Sequence, residues 1–568
     1  MDRPANRQPT GFLSEVADYW RQTAIGNTTG GFADELRLDP TTRITRIRER
    51  FTLNPTGRGK EATGVTSQNL RAISLRRILP STSFVGCGDI AVTHATDRSD
   101  QCELGSLFAV ISGTRHDGRE FIEPAISGGA QAVLVSEPLH NLDVPQCVVP
   151  NVREAYSRLC LALASCPDRS LTITGVTGTN GKTTVTWLLR SIFETAKFKT
   201  GVIGTVGYSA GSEMEPATLT TPGPARFAGL LREMVQEKTT HAFVELSSHA
   251  LDQSRLGGLR LSSAVVTNVT QDHFDYHGGV NEYLTAKERI ADYCAYGAPV
   301  VVNADDRGCQ QLIQRWSRRK LVQFGLNPGA DARGLILETH PDRTVVRFEI
   351  LGEAFDCEIA LPGRYNVSNC VAAATIGVLS GIAPDTIAEG LNRVAFVPGR
   401  LQPVNIGQPF RVFVDYAHTP DALSQVVSAL RPTTPGRLFC VFGAGGDRDR
   451  AKRPLMGAAA SAADVIVVTS DSPRSEEPAE IIRQIQEGIG TNETHVEVER
   501  GAAIDWAIRN ARAGDCVLIA GKGHEKVQQI GDVSVPFDDG LVAAEAIGQH
   551  HIPESDSRHR SRAVSWTR

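Results

Sequence analysis

The chain has 568 residues, 41% hydrophobic, 22% charged and 6% aromatic, a make-up that excludes a collagen-like, coiled-coil or wholly disordered protein. Lys and Arg number 59 against 64 Asp and Glu, a formal net charge of -5. No overall field therefore draws the protein to nucleic acid or to an anionic membrane, and an anionic substrate must be held by local groups. No run approaches the ~20 apolar residues of a membrane helix, and the opening MDRPANRQPT lacks the apolar centre of a signal peptide, so a cytoplasmic protein with no membrane insertion is expected. The 11 cysteines form no CxxC pair and are read as reduced core thiols.

Residues 1–71 are polar and rich in Pro, Gly, Thr and Arg, and are read as a mobile extension with two short helical stretches, 12–23 and 32–51. Residues 72–168 hold short strand candidates (SLFAVI, AVLVS) and a small-residue helix (FIEPAISGGA). Then come LTITGV, HAFVEL, SAVVTNV and PVVVN, and later RLFCVFG, DVIVVTS and DCVLIAG, each followed by a stretch at helical spacing. Near-continuous Val/Ile/Leu runs between helices predict buried parallel strands and an α/β fold. Pro/Gly joints near Pro167 and at Pro398-Gly399 divide the globular part into 72–168, 169–398 and 399–552, with a solvated tail over 553–568.

The strongest local signal is SLTITGVTGTNGKTTVTWLLRSIF, a strand, a Gly-rich loop and an amphipathic helix from Lys182. Glycines let backbone N–H groups approach phosphate oxygens, Lys182 supplies a positive charge and Thr183 a hydroxyl for Mg²⁺. The standard phosphate loop would place Gly at 176, where this chain has Val176, with Gly175 and Gly178 to either side. Such a loop names no reaction by itself. Glu245 ends the HAFVEL run, where α/β sheets present ligand groups, and suits a hard cation; an ordinary capping glutamate is the other reading. After the next run come Asp272, His273, Asp275 and His277, either a second ligand set or structural side chains.

The loop GVTGTNGKTT, then ELSSHALDQSRL, NVTQDHFDYHG, GRYNVSN, VDYAHTPDAL, GAGGDRDRAKRPLM and GKGHE, in that order, resemble the Mur ligases over about residues 72–550. The likeness is to those that add the third peptide residue of the peptidoglycan precursor. It implies three domains: a UDP-binding N-terminal domain, a central ATPase with a phosphate loop, and a Rossmann-like C-terminal domain for the incoming amino acid. It also implies that ATP phosphorylates the glutamyl carboxylate of UDP-N-acetylmuramoyl-L-alanyl-D-glutamate and that an amine attacks the acyl phosphate, in a protein expected to be a monomer.

By that resemblance Gly178, Thr179, Asn180, Gly181, Lys182, Thr183, Thr184, Asn366, Arg400 and Asp415 meet ATP. Thr183, Glu245, His273 and Lys287 hold Mg²⁺, with Lys287 carbamylated (N6-carboxylysine), and Lys182, Glu245, His273 and Lys287 form the catalytic group. Ser99, Thr220, Thr221, Ser247, Gln253 and Arg255 contact the nucleotide-peptide, although the family's Asp-Ser-Arg uridine motif reads Arg98-Ser99-Asp100 here. Arg448, Asp471, Ser472, Pro473, Arg474, Gly521 and Glu525 hold the amino acid. The family's diaminopimelate motif is Asp-Asn-Pro-Arg, and this chain keeps its arginine as Arg474 with Ser472 in place of asparagine. A guanidinium pairs bidentately with a planar carboxylate, which favours meso-diaminopimelate over L-lysine. A folate-glutamate ligase and a non-catalytic nucleotide-binding regulator are the competing readings.

Overall fold

The computed structural model describes residues 72–551, apart from 114–115, 212 and 341 and the side chain of Asp275. The expected extension over 1–71 and tail over 553–568 lie outside the described residues.

Three large sheets, of five, eleven and six strands, follow one another along the chain. The first has five strands, β1 (Ser83–Val85), β2 (His94–Thr96), β3 (Ser106–Ala109), β4 (Ala130–Val135) and β5 (Gln146–Val148), in the order β1-β5-β4-β3-β2. Only β1 is antiparallel to its neighbour. Helix α1 (Val152–Leu163) packs on this sheet; the Asn151 side chain caps it by accepting from the Glu154 N–H, and Leu159 and Tyr156 fill the core.

The second sheet has eleven strands. They are β6 (Thr172–Thr177), β7 (Thr200–Ile203), β8 (Gly207–Ser209), β9 (Glu215–Pro216), β10 (His241–Glu245), β11 (Ser263–Val266), β12 (Val300–Asn303), β13 (Leu321–Gly325), β14 (Ala332–Thr339), β15 (Thr344–Ile350) and β16 (Glu353–Ile359). Their order is β9-β8-β7-β10-β6-β11-β12-β13-β14-β15-β16. Strands β7, β10, β6, β11, β12 and β13 run parallel; all but β13, where Leu321 and Gln323 are half-exposed, are buried along nearly their whole length, which is why their sequences do not alternate. Strands β14–β16 form an antiparallel meander in which β15 alternates between core and solvent. Helix α2 (Lys182–Thr195) follows β6, α3 (Val280–Glu288) precedes β12, and α4 (Arg364–Leu379) follows the meander, buried from Asn366 to Gly377 except at Ser368.

The third sheet contains β17 (Gln402–Pro403), β18 (Arg411–Asp415), β19 (Leu438–Phe442), β20 (Val465–Val468), β21 (Glu493–Val496) and β22 (Cys516–Ala520), ordered β17-β18-β22-β19-β20-β21. All but β17 are parallel. Helices α5 (Pro420–Leu430), α6 (Lys452–Ala459), α7 (Arg500–Asn510) and α8 (Asp539–His550) surround it, and a hairpin, β23 (Val527–Ile530) and β24 (Val533–Pro536), lies beside its carboxyl edge. All seven Val/Ile/Leu runs picked out in the sequence are strands, and the fold is the expected α/β class.

Register decides where the loops emerge. Glu245 pairs with Val176 and Val266 with Thr177, so the Gly178–Gly181 loop, Glu245 and the Thr267–His273 segment leave the second sheet at one edge. In the third sheet Asp415 pairs with Ala520 and Phe442 with Val468, which brings the segments after β18, β19, β20 and β22 to one edge. That edge is tied by a buried ion pair. Arg500 donates through Nε (2.7 Å) and Nη2 (2.8 Å) to Asp539, with both side chains fully buried, and Nη2 also reaches the Ala520 carbonyl. Removing one partner of such a pair leaves an uncompensated buried charge. Arg500→Met is therefore expected to destabilise the third-sheet domain by about 3–5 kcal/mol, seen as an early unfolding transition in thermal denaturation.

Candidate active site

The loop after β6 folds as it does because of two glycines. Gly178 (φ 150°) lies so close to Thr267 that a Cβ would overlap the threonine hydroxyl, and Gly181 (φ 86°) lies against the Asn369 carboxamide of α4. The Asn180 N–H donates to Asn268 Oδ1 at 2.8 Å, pinning the loop to the segment after β11. Lys182 opens α2 and bends back, its Nζ donating to the carbonyls of Gly178 (2.9 Å) and Thr179 (3.0 Å), and desolvation lowers its pKa. The N–H groups at the start of α2 and the ammonium together make an anion cradle.

Thr183, the next residue, donates its hydroxyl to Glu245 Oε2 at 3.1 Å. Glu245 is buried at the end of β10 and also accepts from the Thr205 hydroxyl (2.7 Å) and N–H (2.9 Å). These are hard oxygen donors beside an anion cradle and fit Mg²⁺. Thr221 straps the turn after β10, donating to the Glu245 carbonyl (2.7 Å) and accepting from the Ser247 N–H (3.0 Å). Arg255 Nη1 reaches the Thr221 carbonyl at 2.9 Å, and Gln253 Oε1 holds the same guanidinium.

The Asp/His cluster divides. Asp272 and His273 face the cavity, with His273 Nε2 3.3 Å from the Asp272 carboxylate. His277 is instead buried, its Nε2 3.0 Å from the Ser248 hydroxyl and its ring against Tyr283, a structural position. Lys287 of α3 is 1% exposed and makes no ion pair among the described residues; its ammonium lies 4.4 Å from the centre of the Tyr283 ring. The Tyr283 hydroxyl in turn lies 3.1 Å from Thr179 Oγ1 on the loop. Burial, then the nearby Lys182 charge, hold the Lys287 pKa well below the ordinary lysine value.

The third sheet closes the other wall. Arg400 Nη2 donates to Thr183 Oγ1 at 3.1 Å, and its guanidinium stacks on Tyr416 at 4.5 Å. Asp415 accepts from the N–H groups of Leu401 (2.6 Å) and Ala417 (2.7 Å), and burial raises its pKa. Asp421, at the start of α5, accepts from Asn180 Nδ2 (3.0 Å) and Thr270 Oγ1 (3.2 Å). Beyond them, Arg474 Nη1 bonds the Gly446 carbonyl at 2.7 Å, and the buried Lys522 ammonium lies 3.3 Å from Glu525 and 3.9 Å from Asp471.

These walls flank one open cleft of about 850 Å³. Thr179, Asn180, Gly181, Lys182, Thr183, Thr184, His273, Asn366, Arg400 and Asp415 line its loop end, and Thr220, Thr221, Ser247 and Arg255 line it too. Arg448, Ser472, Arg474 and Glu525 line it from the third sheet. Gly178, Glu245, Gln253, Lys287, Asp471, Pro473 and Gly521 are outside the lining; Glu245 and Gln253 are bonded to residues in it. Ser99 is not in the lining and begins a short 3₁₀ turn, Ser99–Gln101, with its neighbours Arg98 and Asp100 paired to each other at 2.6 Å. Thr205, Tyr416, His418 and Asn369 also line the cavity without having been singled out; Thr205 and Tyr416 stand just past the carboxyl ends of β7 and β18.

The loop, the magnesium-fitting oxygens and the opposed guanidinium suit transfer of a phosphoryl group to an acid, and comparison with known proteins agrees. The chain matches the Mur ligase middle domain over residues 176–377 and the Mur ligase glutamate ligase domain over 399–523. It belongs to the Mur ligase family, whose members are ATP-dependent amide-forming ligases. A relative from Solibacter usitatus, 40% identical over 80% of this chain and 93% of its own, is the UDP-N-acetylmuramoyl-L-alanyl-D-glutamate–2,6-diaminopimelate ligase. A solved structure of an enzyme of that name, 31% identical, superposes with a TM-score of 0.61 over 85% of this chain and all of its own. The Thermotoga maritima MurF ligase in complex with ADP shares the fold at 20% identity and a TM-score of 0.54, covering 75% of this chain and 93% of its own.

Gly178→Ala is expected to reduce turnover of ATP by about a hundredfold or more, because the added methyl displaces the loop amides from the phosphate. Initial rates of ADP formation check this.

Proposed function

We propose that the chain joins meso-diaminopimelate to UDP-N-acetylmuramoyl-L-alanyl-D-glutamate, with ATP cleaved to ADP and phosphate. The observation that carries the reading is the single cavity lined at one end by Lys182 and Thr183 and at the other by Arg448 and Arg474. A triphosphate, a glutamyl acid and a dicarboxylic amino acid then share one cleft, where the acyl phosphate forms beside the amine that consumes it.

In this reading the loop amides and Lys182 hold the phosphates, Asn366 meets the adenine, and Arg400 neutralises charge on the transferring group from the opposite wall. The glutamyl carboxylate oxygen attacks the terminal phosphorus and ADP leaves. The amine of diaminopimelate then attacks the acyl carbon through a tetrahedral intermediate and expels phosphate. Ser99, Thr220, Thr221, Ser247, Gln253 and Arg255 serve the nucleotide-peptide, the first from the 72–168 domain. Arg448 takes the carboxylate beside the reacting amine and Arg474 the distal one, with Glu525 on the distal ammonium and Asp471, Ser472, Pro473 and Gly521 shaping that end. Domains at 169–398 and 399–552 supply the two walls.

Thr183, Glu245, His273 and a carbamate on Lys287 would hold Mg²⁺, which supplies positive charge to the phosphate oxygens. A buried, weakly basic Lys287 supports the carbamate: its neutral nitrogen can add to CO₂ with loss of a proton, exchanging a cation for an anion.

The deciding assay is ADP formation. It is expected to require both UDP-N-acetylmuramoyl-L-alanyl-D-glutamate and an amino acid, with meso-diaminopimelate far better than L-lysine. Arg474→Ala should lower kcat/KM for diaminopimelate by about 2–3 kcal/mol, the cost of leaving a carboxylate unpaired. Equal use of lysine, or an unchanged kcat/KM in that variant, overturns the substrate assignment. The protein equilibrated with ¹³C-bicarbonate should show one carbamate carbon resonance, absent from Lys287→Met.

A further inference from the structure

Arg448 and Arg474 stand on different loops, 443–448 after β19 and 471–476 after β20, so their separation depends on what joins the loops. The join is close. A Cβ on Gly446 would overlap the Pro473 carbonyl, the Gly446 N–H donates to the Ser472 carbonyl (3.0 Å), and Arg474 Nη1 returns to the Gly446 carbonyl. On the outer side Ser475 donates through Oγ (2.6 Å) and N–H (3.2 Å) to the Asp447 carboxylate.

Behind this seam lies Glu476, whose two oxygens receive three hydrogen bonds and an ion pair. Oε1 accepts from the Asp447 N–H (2.7 Å) and Arg453 Nη2 (2.8 Å); Oε2 accepts from Arg453 Nη1 (3.0 Å) and pairs with the Arg450 guanidinium (3.0 Å). Arg453 is fully buried on α6 and also donates to Gln484 (2.9 Å). Neither Glu476 nor Arg453 lines the cavity. Arg474 has φ 52°, a conformation that a side-chain-bearing residue keeps only when its surroundings enforce it.

We propose that Glu476, backed by Arg453, is the positioning residue that sets the distance between the Arg448 and Arg474 guanidiniums, and so the preference for an amino acid with two carboxylates over one with a single carboxylate. The inference rests on the assignment of those two arginines to the amino-acid carboxylates. Bidentate pairing demands placement within a fraction of an ångström at both ends. A substrate with one carboxylate needs only one end right and is indifferent to the spacing.

The test uses the full chain with Glu476→Gln, which keeps the shape but loses the charge and one acceptor. KM for meso-diaminopimelate should rise about tenfold while kcat and the KM values for ATP and the nucleotide-peptide stay within about twofold, and the preference over L-lysine should narrow by a similar factor. Ser475→Ala opens only the exposed side of the seam and should move the same KM about threefold, which decides the matter if the glutamine variant folds poorly. All three KM values moving together, a fall confined to kcat, or an unmoved diaminopimelate KM in a folded variant overturns the proposal. The assignment beneath it fails separately, if the unmodified protein does not use diaminopimelate or Arg474→Ala leaves its KM unchanged.

Discussion

The bond from the Arg400 guanidinium to the Thr183 hydroxyl joins chain segments 217 residues apart and makes one site out of two sheets. The Thr183 hydroxyl gives its one proton to Glu245 and accepts from Arg400, whose guanidinium lies over the Tyr416 ring. A hydroxyl bonded on both sides has a fixed orientation, and so has the carboxylate next to it. The carboxylate gains two further fixed donors from Thr205, so the groups nearest the phosphate cradle are set before any substrate arrives.

Local charge runs against the balance of the whole chain. The protein carries a net -5, yet Lys182, Arg255, Arg400, Arg448 and Arg474 line one cavity. Parallel sheets make that concentration possible, because every strand delivers its next residues to the same edge and helix N-termini add partial positive charge there. Burying cations has a cost: desolvation lowers the pKa of Lys182, and burial, then the Lys182 charge, lower that of Lys287 behind the loop. An anion bound beside Lys182 offsets part of that cost by favouring its charged form.

Much of this was legible in the chain and some was not, for physical reasons. The buried parallel strands announce themselves because strands covered on both faces need unbroken Val/Ile/Leu. The β14–β16 meander, with one wet face, carries only short alternation and passed unmarked. Lys182, Thr183 and Glu245 stood out because each abuts such a run. Asp421 and Asn369 did not, because what gives them a role is contact with the Gly178–Gly181 loop from far along the chain. Sequence spacing could not separate His273 at the cavity from His277 in the core, since the turn of the short helix between them decides which way each faces.

Asp421 has a mechanical meaning. Its carboxylate grips Asn180 and Thr270 while rooted in the helix that Gln425 braces one turn on. Any swing of the third sheet away from the second must first pull on the Gly178–Gly181 turn itself. One carboxylate thus fastens the helix after β18 to the glycine turn after β6 and to the segment after β11 at once, so a shift of either sheet is felt at that turn.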